Sequence, residues 1–204
     1  MKRIAFFLLS LTALSSCRRP APGYLLVRQD TTQQRAQYVF MSPGGDTVRR
    51  LDTAKYYVCF SDTVRAFAIV GIKGRKSWWA IDRDEKPLFQ VYNTSDGEPT
   101  PDELRYGMIR IVDDKGRIGF ANDRGKVVIS PRFEAASNFY RDKAIIGGSC
   151  KKVLWCCEGE NSDKHYMIDC KQAGFIDRSG RIRKMGAYSF EEMEKLSGWK
   201  PDQD

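Results

Sequence analysis

Four stretches of the chain share one register: Tyr38-Val39-Phe40-Met41-Ser42-Pro43-Gly44-Gly45, Trp78-Trp79-Ala80-Ile81-Asp82-Arg83-Asp84-Glu85, Ile118-Gly119-Phe120-Ala121-Asn122-Asp123-Arg124-Gly125 and Ala173-Gly174-Phe175-Ile176-Asp177-Arg178-Ser179-Gly180. They begin at 38, 78, 118 and 173, so the spacings are 40, 40 and 55 residues. The last spacing returns to about 40 if the Cys-rich stretch near 150–165 carries an insertion of about 15 residues. A fixed period of this size predicts a repeat architecture, in which each unit buries its apolar surface only against its neighbours.

Each stretch reads as a strand followed by a turn. Ser42, Asp82, Asn122 or Asp177 can open a type I turn by accepting backbone N–H groups beyond it, and Gly45, Gly125 or Gly180 three positions later tolerates positive φ. Glu85 departs from this pattern, and a side chain in the left-handed region costs about 1 kcal/mol, so a different turn is expected at 82–85. Strand alternation puts Tyr38, Trp78, Ile118 and Ala173 on one side with Phe40, Ala80, Phe120 and Phe175. Val39, Trp79, Gly119 and Gly174 share the other side with Met41, Ile81, Ala121 and Ile176. Both sides are largely apolar, so these strands are expected to be covered on two faces. The fold class that follows is all-β: repeated antiparallel hairpins in a stacked or circular array, with a short C-terminal helix.

Residues 116–139 carry Gly116, Gly119, Phe120, Gly125, Val128, Ile129, Pro131, Phe133, Glu134, Ala136 and Phe139 in a spacing that resembles the WG-repeat family of bacterial proteins. Ile118 replaces the family's Trp and Asn122 its Asp. Gly174-Phe175-Ile176-Asp177 with Gly180 is a shorter match, and Trp78 with Ile81-Asp82 a partial one. The resemblance covers roughly 37–183 and implies an all-β repeat fold with no established enzymatic activity. It also implies a strand before each hairpin, with candidates in "AFAIV" (66–70), "GMIRIV" (107–112) and "KAIIG" (143–147).

The N-terminus reads as an export signal. Lys2 and Arg3 precede an apolar run from Ile4 to Leu14, too short for a membrane span of about 20 residues. Leu14-Ser15-Ser16-Cys17 resembles the bacterial lipobox, which implies cleavage after residue 16 and acylation of Cys17. Two or three acyl chains, at ~0.8 kcal/mol per buried CH₂, would hold the protein on a membrane. Arg18 is not the Asp that commonly retains lipoproteins at the inner membrane, so the outer membrane is the expected site by analogy. The expected organisation is 1–16 signal, 17–36 tether, 37–188 β domain, and 189–204 short helix and tail. Only "YLLV" within the tether has a strand pattern.

Removing Lys2 and Arg3 lowers the formal charge from +8 to +6, and the remaining basic residues are scattered. An exported chain meets anionic lipid or envelope polymer rather than nucleic acid. At the C-terminus, "SFEEMEKLSGW" offers Ser189 as N-cap, Glu192 completing a capping box, Lys195 near the end and Gly198 as the stop. Phe190, Met193 and Leu196 are expected to dock this helix over the open end of the array.

Chemistry is sparse. His165 is the sole histidine, and neither a nucleophile elbow nor a phosphate-binding loop is present. Asp113-Asp114 and Glu191-Glu192 fall where a turn and a helix start place carboxylates, so no enzyme activity and no cofactor are expected. Trp78-Trp79, adjacent on a strand, must point to opposite faces, and beside Arg75 and Lys76 an exposed indole could stack on a sugar or hold a protein; burial of both in the repeat core is the competing reading. Cys150, Cys156, Cys157 and Cys170 cluster within 21 residues, and outside the cytoplasm such a cluster forms disulfides. Two disulfides are expected within 150–170, pairing Cys150 or Cys170 with Cys156 or Cys157, around a displayed polar loop that includes His165 and serves as the partner contact. Cys59 is expected to be a buried free thiol, and no metal is expected. A zinc set of Cys150, Cys156 or Cys157, His165 and Cys170 lacks the C-x₂-C spacing of structural sites. The function expected is therefore a non-catalytic envelope lipoprotein that binds an envelope protein or glycan. The alternative is a thiol-redox or zinc-dependent protein centred on residues 150–170.

Overall fold

The structure, a computed structural model, describes residues 25–30, 37–42, 46–58, 64–94, 100–156 and 165–201. Its strands are β1 (Leu25–Asp30), β2 (Gln37–Met41), β3 (Thr47–Arg50), β4 (Tyr56–Val58), β5 (Val64–Arg65), β6 (Ala68–Ile72), β7 (Trp78–Ile81) and β8 (Pro87–Val91). They continue with β9 (Met108–Val112), β10 (Ile118–Asn122), β11 (Val127–Phe133), β12 (Ala135–Ala136), β13 (Lys143–Cys156), β14 (His165–Asp177) and β15 (Ile182–Gly186), and one helix follows, α1 (Phe190–Ser197). The fold is an all-β repeat built from three-stranded antiparallel units: β1-β2-β3, β6-β7-β8, β9-β10-β11 and β13-β14-β15. Tyr38, Trp78, Ile118 and Ala173 all lie on the middle strand of a unit, which is why the 40-residue register was visible.

The first unit includes β1, antiparallel to β2 from Leu26↔Met41 to Asp30↔Gln37. The body therefore begins within the segment read as tether. The reason is the one apolar run there, which supplies the first strand that every unit has. Units two and three join edge to edge through Gln90↔Val112 and Val91↔Ile111, giving the seven-stranded order β11-β10-β9-β8-β7-β6-β4.

The turns between second and third strands repeat one another. Asp82 Oδ1 accepts the N–H groups of Asp84 and Lys86, Asn122 Oδ1 those of Arg124 and Lys126, and Asp177 Oδ1 those of Ser179 and Arg181, all at 2.9–3.1 Å. Gly125 (φ 73°) and Gly180 (φ 81°) take the left-handed position, and so does Glu85 at φ 62°. The different turn expected at 82–85 is thus replaced by the same turn with a strained residue. Glu85 is held there by Tyr56, whose hydroxyl donates to its Oε2 at 3.1 Å, and by Arg49 at 3.6 Å.

The glycine of the Gly-Phe pair has a steric cause. Ile118 pairs with Phe133 and Phe120 with Ile129, so Ser130, Pro131 and Arg132 bulge opposite Gly119 alone. A Cβ on Gly119 would run into the Ile129 carbonyl oxygen and lie 2.6 Å from Pro131 N.

The core follows the two-sided reading in a regular way. Phe40 of unit one packs with Ile81 of unit two; Ala80 of unit two with Ala121 of unit three; Ile118 and Phe120 of unit three with Ile176 of unit four. Each unit thus lays its first side against the next unit's second side. In unit four that first side, Ala173 with Phe175, is covered by Met193 of α1, so the array ends on the helix instead of closing on itself. Ser189 and Glu192 form the capping box, and Gly198 is left-handed at the C-cap. Phe190 and Met193 dock as expected, but Leu196 is 56% exposed. Trp199 packs in its stead, with its indole N–H donating to the Asn138 carbonyl at 2.8 Å.

One buried charge pair was not anticipated. Asp102, 1% exposed, accepts from Arg110 Nη2 at 2.8 Å, Nε at 3.1 Å and backbone N at 2.9 Å. Arg110 Nη1 also donates to the Ala136 carbonyl at 3.0 Å, and the guanidinium lies 4.4 Å from the centroid of the Tyr92 ring. The pair ties β9 to β12, and its polar atoms are satisfied, as a buried ion pair requires.

Candidate interaction surfaces

Unit four departs from the template between its first two strands. Its ladder runs from Lys143↔Asp177 to Gly148↔Gln172 like the others, then continues from Cys150↔Cys170 to Leu154↔Tyr166 and, after a register shift, Cys156↔His165. The described part of the insertion is therefore a two-stranded ribbon, and the polar middle expected to form a displayed loop lies, over 157–164, outside the described residues. Ser149, at φ 55°, marks the start of the extension. Glu134 Oε2 accepts the Cys150 N–H there at 2.7 Å, while Arg117 pairs with the same carboxylate at 3.3 Å. The Cys150 N–H, with help from Arg117, holds the Glu134 carboxyl below its ordinary range.

Cys150 and Cys170 are joined to each other by a disulfide, with Cα atoms 3.9 Å apart. This corrects the expected pairing of either with Cys156 or Cys157. Directly opposed residues on antiparallel strands bring their Cβ atoms together, whereas Cys156 lies six residues along the same strand from Cys150, about 20 Å away. Gly147 makes room for the bridge: a Cβ there would stand 2.5 Å from Cys170 Sγ and 2.9 Å from Cys150 Sγ. The side chains of Cys156 and His165, and all of Cys157, Cys59 and Cys17, lie outside what the structure describes. Among the described residues no three His, Cys, Asp or Glu side chains converge as a metal site.

Beyond the disulfide, direct cross-strand partners share a face. Lys152, Ile168, Leu154 and Tyr166 lie on the disulfide's face, and Lys151, Asp169, Val153 and Met167 on the other. Leu154, Tyr166, Met167 and Ile168 are 39–49% exposed, an apolar density unusual for a projecting hairpin. Lys152 Nζ lies 4.5 Å from the Tyr166 ring centroid, and Lys151 pairs with Asp169 at 3.5 Å.

A second surface lies at the corresponding edge of unit two. Tyr57, Gly71 and Trp78 are direct partners on adjacent strands β4, β6 and β7, so all three face the same way. The missing side chain at Gly71 leaves a cleft of about 220 Å³ between the two rings, completed by Ile72, Arg75 and Ser77. Trp78 and Trp79 point to opposite faces and both are half-buried. Trp78 lines the cleft, while the Trp79 ring is covered by the Arg75 guanidinium at 5.3 Å, with its indole N–H buried and unbonded. Tyr57 and Gly71 were not singled out from the sequence, because only strand pairing brings them to Trp78.

The repeat is also recognised by comparison. A family model described as WG containing repeat matches residues 118–146, from the start of β10 into β13. Residues 118–146 are thus similar to a WG repeat. No curated protein and no solved structure matches it.

Proposed function

We propose that this protein is a non-catalytic lipoprotein of the bacterial envelope, exported by residues 1–16, anchored through lipid on Cys17, and using its repeat body to bind another envelope component, a protein or a glycan. Residues 1–24 lie outside the described part, and the anchor rests on the sequence pattern. The observation that supports a protein partner is the ribbon: one unit of four extends a hairpin whose Leu154, Tyr166, Met167 and Ile168 remain exposed on both faces. Stapled by Cys150–Cys170 at its root, it holds one shape before a partner arrives, which lowers the ordering cost of binding. A zinc site that used Cys150 and Cys170 as ligands would need both as thiolates, and the bond between them occupies both.

The test has two arms. In the host, Cys17→Ser is expected to abolish incorporation of a labelled fatty acid and release the protein from membranes; unchanged membrane retention would remove the anchor from the proposal. A photo-crosslinking residue at position 166 is expected to give a discrete adduct with one envelope protein, and the same residue at Val127 none. Identical adducts from both positions would remove the ribbon.

A further inference from the structure

We infer that the cleft over Gly71 is a saccharide subsite for a sugar ring carrying an anionic substituent, carboxylate or phosphate. This site is separate from the ribbon and holds whether or not the ribbon docks a protein. Its walls are two aromatic side chains, Tyr57 and Trp78, set on either side of a residue without a side chain. A Cβ at Gly71 would meet Tyr57 at 3.4 Å and the Trp78 ring at 3.5 Å, so both rings approach the floor from opposite sides. Flat apolar walls of this kind accept the C–H face of a pyranose. The cleft, at about 220 Å³, is below the roughly 300–1,000 Å³ of drug-sized pockets and suits one ring of an extended ligand.

The rim decides the charge. Lys73, Arg75 and Lys76 form the exposed β6–β7 connection, and no Asp or Glu occurs from Val64 to Ile81. Lys73 Nζ lies 5.2 Å from the Tyr57 ring centroid and donates to the Thr53 carbonyl at 2.8 Å. Among the described residues no carboxylate pairs with Arg75, a residue that lines the cleft and whose guanidinium lies 5.3 Å from the Trp79 ring centroid. Cations at the rim of two aromatic walls, Lys73 by the Tyr57 ring and Arg75 among the lining residues, match a ring whose apolar face stacks while its carboxylate or phosphate reaches outward. Ser77 adds a hydroxyl suited to a sugar hydroxyl.

The experiment is calorimetric titration of the protein from Cys17 onward with three probes: a short oligouronate, the same oligomer with its carboxylates reduced to alcohols, and a hexose phosphate. Binding of the oligouronate, the hexose phosphate or both, with the reduced oligomer weaker, supports the proposal, and the better of the two acidic probes identifies the substituent. Arg75→Gln, at an exposed position, is expected to weaken the acidic ligand about tenfold and leave the reduced one unchanged. Gly71→Val, which fills the cleft on a strand that favours β-branched residues, is expected to abolish binding of every probe at an unchanged melting temperature. Tyr57→Ala, at a side chain already 60% exposed, is expected to weaken all binding probes alike. Equal affinity for acidic and reduced oligomers, undiminished binding in Gly71→Val, or no binding by the wild-type protein would each overturn the inference.

Discussion

One edge of the array is uniform and the other is not. Where second strands turn into third strands, units two, three and four use one device: an Asx acceptor bonding two N–H groups, then a left-handed residue at 85, 125 or 180. Where first strands turn into second strands, no two of these units agree. Unit two has the cationic 73–77 connection beside the Tyr57–Trp78 cleft, unit three closes on the same Asx device, Asp113 with Gly116 left-handed at φ 73°, and unit four runs on into the ribbon. Turns that all serve the same packing have no freedom to differ. The first-to-second connections share no such packing, although Glu134 links Arg117 of unit three to Cys150 of unit four, and both candidate surfaces lie there.

The first way to break this division is through the shared core. Phe120 is 1% exposed in the cluster joining units three and four, and Phe120→Ala is expected to cost about 3–5 kcal/mol and to unfold both units together in calorimetry. Leu154→Ala on the ribbon should leave the melting temperature unchanged. Equal effects from the two would mean that the ribbon belongs to the core.

How much of this was legible follows the same division. The turns and the two-sided strands were readable because each rests on residues within one hairpin: Asn122 with Gly125, Asp177 with Gly180, Phe120 alternating with Ala121. The ribbon was hidden by its polar middle, "EGENSDKH", although its flanks "KKVLW" and "HYMID" mix apolar and charged residues as a two-faced strand does. Reading Cys150 with Cys156 followed from proximity in sequence, where pairing across strands decides. The cleft draws on three strands, with Tyr57 and Trp78 21 positions apart, and the pairing of Asp102 with Arg110 needed the fold in the same way. The exposure of Leu196 turned on which helix face Trp199 left free.

The disulfide sharpens the comparison from the other side. Closing a loop with a sequence separation of 20, it is worth about 3 kcal/mol in the chain-entropy view. If the ribbon opens independently, replacing Cys150 and Cys170 together by Ser should speed amide exchange roughly 100-fold at 150–156 and 165–170. Protection at 118–122 should stay as it was. A matching loss at 118–122 would show that ribbon and body unfold as one.

Acid probes the uniform edge. The Ser179 hydroxyl, the N–H groups of Arg181 and Ser179, and Arg183 hold Asp177 at about 2, down from 3.8. Because the folded value is depressed, the stability it confers is complete above 3.8 and is lost as pH falls from there toward 2. Asp177→Asn keeps an acceptor for both N–H groups, as Asn122 does, and loses only the pairing with Arg183. It is expected to cost less than about 1 kcal/mol at neutral pH and to flatten the decline of melting temperature in acid. An unchanged acid profile would remove Asp177 as its source.

The smallest expected effect tests whether the uniform turn is set by geometry or by its side chains. Glu85→Gly relieves about 1 kcal/mol of left-handed strain, and it deletes the hydrogen bond from Tyr56, worth a similar amount. The two offset each other, so the net change in stability should stay within about 0.5 kcal/mol. Tyr56 supplies the more sensitive readout. Burial first, then the bond to Glu85 and its charge, raise the phenol above 10.0, so in Glu85→Gly its ultraviolet titration should move down toward that value without reaching it. A phenol that does not move would mean that Glu85 is absent from its environment in solution, and that the turn holds a strained residue with nothing in return.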